Sequence, residues 1–170
     1  MKQWYICDII FMEKKLFCHL ANNSYLCFLK NTKIMNPDIH IKQGYGDIYF
    51  EMPVEEVVAK LGEPNEVENI DNATDETTTV LRYANRFTLF FEGDTPTLSC
   101  IDIIDEKSTL FGQNIFEMGE KEIVRLMVDN NYYEQDIDNE AWGERRVSFG
   151  EGNIDFYFED DVLLSVIIGR

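Results

Sequence analysis

A chain of 170 residues with 32 acidic and 15 basic side chains carries a net charge of −17. A surface this acidic repels phosphate backbones and anionic lipid, which argues against a nucleic-acid or membrane partner and leaves a basic protein as the favoured one. Apolar residues at 45% and aromatics at 13% exclude wholesale disorder, and a chain of this length buries about 70% of its unfolded surface, so it needs neither disulfide nor metal to fold.

Residues 1–34 differ from the rest. Lys2, Lys14, Lys15, Lys30 and Lys33 outweigh Asp8 and Glu13, a balance of +3, and Cys7, Cys18 and Cys27 also lie here. Asp8, Glu13, Lys14 and Lys15 interrupt the apolar run before a signal-peptide core forms. No stretch reaches the roughly 18 apolar residues of a membrane-spanning helix. A cytoplasmic protein is expected. Two readings of this N-terminal extension stand side by side. It forms extra strands, since WYICDIIF, KLFCHL and SYLCFL are rich in β-formers, or the start is placed too early and Met35 is the true first residue.

From residue 35 onward the chain repeats itself. Phe50-Glu51-Met52 recurs as Phe116-Glu117-Met118, and at an offset of 66 Gly46 meets Gly112, Glu56 meets Glu122 and Val58 meets Val124. Each FEM closes a lead-in strand and opens a helix. In the first, Pro53 suits the helix start, Val54, Val57, Val58 and Leu61 form one apolar stripe, and Gly62 and Pro64 end it. In the second, Ile123, Leu126 and Met127 carry the stripe and Asn130-Asn131 closes it. Acidic segments follow, over 65–76 and 132–144, and read as loops. Three strand-like runs complete each copy: 77–83, 86–92 and 97–104, then 144–149, 153–159 and 162–168. FFEGD (90–94) resembles YFEDD (157–161), one residue out of register. The expected fold is therefore α+β: two tandem β-α-β-β-β units, 35–108 and 109–170, with antiparallel sheets and helices packed on one face.

Met52, Val57, Leu61, Gly62 and Pro64 match the later part of the "G-M-x-x-x-x-V-x-x-x-L-G-x-P" pattern of outer-membrane assembly lipoproteins of the SmpA type. Residues 44–168 also loosely resemble the tandem-repeat beta-lactamase inhibitor protein, and the acidic composition resembles that of bacterial immunity proteins. The second copy lacks the LG-x-P ending, and each inhibitor repeat has two helices where this sequence shows one. The resemblance implies a binding or inhibitory module in a bacterial cell.

Catalytic and cofactor motifs are weak throughout. Gly44-Tyr45-Gly46 starts a dinucleotide fingerprint, but Tyr49 stands where its third glycine belongs. His19 with Cys7, Cys18 and Cys27 lacks the paired spacing of a zinc site. Asp136, Asp138 and Glu140 alternate as in a calcium loop, but Ala141 and Val147 occupy its glycine and glutamate positions. No metal and no cofactor is expected. Glu51 and Glu117 form a conceivable acid–base pair, on which an alternative function rests: a small hydrolase or ligand-binding protein with its site between the units. The stronger reading is a non-catalytic module that binds a basic protein. Its site residues are Tyr132, Tyr133, Glu134, Asp136, Asp138 and Trp142, because large amphipathic rings anchor interfaces and carboxylates steer a basic partner.

Overall fold

The computed structural model describes residues 36–71, 77–84, 86–139 and 143–170; the readings of residues 1–34, and Trp142, fall outside them. Two short hairpins and a lead-in strand come together as a five-stranded sheet. Its strands are β1 (Asp38–His40), β2 (Gly44–Tyr45), β3 (Ile48–Tyr49), β8 (Thr109–Leu110) and β9 (Gln113–Asn114), in the order β3-β2-β1-β8-β9. All pairings are antiparallel except β1 with β8. At Gly44 the chain runs so close to β3 that a methyl group would drive into the Ile48 carbonyl oxygen, which leaves glycine as the residue that fits.

A second sheet of eight strands holds the rest. It contains β4 (Glu66–Asp71), β5 (Thr77–Tyr83), β6 (Phe87–Glu92), β7 (Thr97–Ile103), β10 (Gln135–Asn139), β11 (Arg145–Phe149), β12 (Ile154–Glu159) and β13 (Val162–Gly169). The order is β10-β11-β12-β13-β7-β6-β5-β4, so two antiparallel meanders meet where β13 pairs with β7. That junction is two-fold symmetric in register. Through the pairs Leu89↔Ile101 and Phe156↔Val166, Ile101 corresponds to Val166. The junction pairs Val166↔Ile103 and Ile168↔Ile101 then exchange, and Ile167↔Asp102 lies on the axis. Each meander carries a register shift at matching places, Phe90/Phe91 and Tyr157/Phe158. The one-residue slip between FFEGD and YFEDD arises before these bulges: the β11–β12 turn, residues 150–153, is one residue longer than the β5–β6 turn, residues 84–86.

Among the described residues there are two α-helices, α1 (Val54–Leu61) and α2 (Glu120–Asp129). Pro53 precedes α1 as its N-cap, and Gly62 ends it at φ +85°. Gly119 at the start of α2 has no capping side chain. Asp161 from the β12–β13 turn substitutes by accepting from Glu120 N–H at 2.8 Å, and Glu122 accepts from Gly119 N–H at 3.1 Å. The Val57 and Leu61 stripe and the Ile123, Leu126 and Met127 stripe are buried in one core with Leu81, Leu89, Ile101, Val147, Phe156 and Val166 of the large sheet. Tyr45, Ile48, Leu110 and Ile115 bring the small sheet into the same core. Phe50 and Phe116 are half-buried against it, as are Met52 and Met118, while Glu51 and Glu117 face solvent.

The α+β expectation is corrected by this architecture. Strands make up about half of the described residues, and the helices have only eight and ten residues. The chain is mainly β, and what repeats is a hairpin, a short helix and a four-stranded meander rather than a β-α-β-β-β unit. The missed strands are β4 and β10, which lie inside the segments read as acidic loops. Both are edge strands of the large sheet. An edge strand with solvent on both faces needs only a backbone ladder on one side and shows no apolar alternation.

Candidate functional site

The exposed end of the second meander carries most of the aromatic and acidic residues singled out above. After α2, Asn131 takes φ +71° and Tyr132 N–H returns to Met127 O at 3.0 Å. This turn seats the Tyr132 ring against the core and over Gly152, where an added methyl would lie 3.3 Å from it. Phe111 stacks on Tyr132, with centroids 6.1 Å apart and planes at 30°. Phe111 is 39% exposed and holds φ +51° in the β8–β9 turn. That conformation suits glycine or asparagine and costs a bulky aromatic on the order of 1–2 kcal/mol. The stack on Tyr132 offsets part of that cost and leaves the rest of the ring facing water.

Tyr133 is 60% exposed. Its N–H donates to Glu151 Oε2 at 3.0 Å and its hydroxyl to Asn131 Oδ1 at 3.0 Å, so the ring is displayed in a fixed place. β10 follows directly, with all five residues exposed. Asp136 and Asp138 lie on one face, opposite Ser148 and Arg146, and Ile137 lies on the other, opposite Val147. Asp138 accepts from Arg146 at 2.7 Å. Arg145 donates to Glu120 at 2.7 Å and to Asn139 at 3.3 Å. The Glu120 hydrogen bond holds the Arg145 guanidinium in its charged form by raising its pKa. Among the described residues Glu134, Asp136 and Glu151 form no ion pair. Tyr132, Tyr133, Glu134, Asp136 and Asp138 are thus brought to one sheet edge, and Phe111 joins them from a distant part of the chain. The sequence signal for Phe111 was its place before Gly112 in the repeat, where the first copy has Tyr45.

Tyr45 itself is fully buried. Its hydroxyl shares a 2.8 Å hydrogen bond with the equally buried Ser108 Oγ, and Arg86 donates to Asp105 at 2.8 Å beside them. Burial pushes the Tyr45 pKa up to about 12, against the opposing effect of Ser108, so the group stays neutral at ordinary pH. The cluster ties the small sheet to the large one. The large sheet's second face was missed altogether. Its middle rows bury Val80, Phe90, Cys100, Tyr157 and Ile167 together with Ser148, Asp155, Ser165 and Asp102. The visible signal was the alternation Ser99-Cys100-Ile101-Asp102-Ile103, which sends Asp102 to the side opposite the main core.

The other motifs resolve differently. Gly44-Tyr45-Gly46 forms β2 and its turn rather than a phosphate loop. Glu51 follows β3 and Glu117 follows β9, at opposite edges of the five-stranded sheet. Four strand spacings of about 4.8 Å separate those edges by roughly 19 Å, so the two carboxylates do not form a pair. Asp136 and Asp138 sit on a strand, not a cation-binding loop. Among the described residues no three His, Cys, Asp or Glu side chains gather as a metal site, and no helix is long and apolar enough to cross a membrane. Comparison with protein-family models, with curated proteins and with solved structures finds no match to this chain.

Proposed function

We propose that this chain is a non-catalytic protein-binding module of the inhibitor or immunity type, acting inside a bacterial cell on a basic toxin or enzyme. The observation that carries the reading is Tyr133, 60% exposed yet fixed by Glu151 and Asn131, beside Glu134 and Asp136, which have no ion-pair partner among the described residues. A rigid aromatic ring costs little conformational entropy on binding, and unpaired carboxylates raise the encounter rate with a cationic surface. Phe111, held in a conformation unfavourable for its type, extends the aromatic strip.

The test is calorimetric titration of the full chain with a lysine-rich peptide as probe. Tyr133→Ala leaves net charge unchanged and should weaken binding at least ten-fold. A control that neutralises Glu55 and Glu56, exposed at the start of α1, should change it less than two-fold. Equal losses in both variants would mean that the probe senses only overall charge, and the proposed site would fall.

A further inference from the structure

We infer that the partner's basic segment adds as a strand alongside β10, an inference that rests on the binding reading above. Among the described residues β10 ends the eight-stranded sheet and pairs only with β11. All five of its residues are exposed, so its outer side presents an open backbone ladder. Ile137 N–H turns to the adjacent Asp136 Oδ1 at 3.0 Å instead of to β11. Antiparallel ladders alternate in direction, so Gln135, Ile137 and Asn139 aim their backbone groups away from the sheet.

This arrangement sets the chemistry of the occupant. On the core-side face, Ile137 offers an apolar contact, 40% exposed. On the opposite face Asp136 and Asp138 stand two residues apart. A segment that alternates apolar and basic residues matches both faces at once. As it docks, its carbonyl takes the Ile137 N–H, and the Asp136 carboxylate is released to pair with a lysine or arginine. A second copy of β10 fits poorly, because it would set Asp136 and Asp138 against their own like charges. The opposite edge, β4, is less open to a cation: Glu66 and Glu68 are both held by Arg82, at 3.7 and 3.0 Å.

The experiment is amide hydrogen exchange of the full chain, with and without a capped peptide of alternating lysine and valine. Protection should rise at Gln135, Ile137 and Asn139, and change little at Asp136 and Asp138, which already face β11. A peptide of the same composition with lysines and valines in separate blocks should bind at least ten-fold more weakly. Ile137→Pro removes the outward N–H at an edge position where proline is tolerated, and should abolish binding while Asp138 and Arg146 keep their exchange behaviour. If both peptides bind equally, or the bound peptide protects none of the three amides, strand addition is overturned. Should Tyr133→Ala still weaken binding in that case, the aromatic–acidic site survives without it. If Tyr133→Ala has no effect either, both readings fail.

Discussion

Phe111→Asn separates an exposed anchor from a core residue. The wild-type ring gains roughly 0.5–1.5 kcal/mol from stacking on Tyr132. Being 39% exposed, it gains about 1–2 kcal/mol more from partial burial, on a scale where full burial of Phe is worth about 1.5–3 kcal/mol. Against this, asparagine adopts φ +51° with little strain and recovers about 1 kcal/mol. The net loss of stability should be about 0.5–2.5 kcal/mol, below the roughly 3–5 kcal/mol for Phe156→Ala in the core. Urea denaturation followed by fluorescence and far-ultraviolet circular dichroism measures both. Affinity for the lysine-rich probe should fall several-fold in Phe111→Asn. A stability loss above about 3 kcal/mol would make Phe111 a core residue, and unchanged affinity would remove it from the binding strip.

Burial raises the pKa of Tyr45 and of Tyr83 to about 12 from an ordinary value of 10. The stability they contribute is therefore complete below pH 10 and lost as pH climbs from about 10 to 12, while the unfolded chain ionises first. Tyr45→Phe should cost about 1–3 kcal/mol at neutral pH by stranding Ser108, yet flatten the alkaline decline measured by denaturation at a series of pH values. A decline of the same steepness in the variant would contradict the burial argument. Leu89→Ala, between Leu81 and Ile101 on adjacent strands, should lower stability by about 2–5 kcal/mol in the same urea assay. Probe binding should weaken as salt rises, because the carboxylates of β10 are exposed to screening; titration across a salt series checks this, and salt-independent affinity would point to a purely apolar contact.

The parts of this molecule that a sequence reveals are those where burial imposes a period. The Val57 and Leu61 stripe and the alternation of Phe87 and Leu89 or of Ile154, Phe156 and Phe158 all mark strands or helices that the structure contains. β4 and β10 stayed hidden because both faces meet water, and the only apolar residues in them are Val67, Ile70 and Ile137. Missing those two strands turned a mainly β architecture into an expected α+β one. Tyr132, Tyr133 and the β10 carboxylates were legible as a group because they are contiguous in sequence. Phe111 was not, since its stack on Tyr132 depends on the β8–β9 turn meeting the end of α2. The second face with Asp102 was hidden for a third reason: a buried aspartate in a strand looks like a solvent-facing one until the sheet is assembled.

The most direct measurement is the two-dimensional amide spectrum of the full chain during titration with the alternating lysine–valine peptide. Resonances of Phe111, Tyr132 through Asn139 and Glu151 should shift together and saturate together. Shifts confined to the β4 edge or to α1, or spread evenly over every acidic segment, would contradict the assignment of binding to the aromatic–acidic end of the second meander.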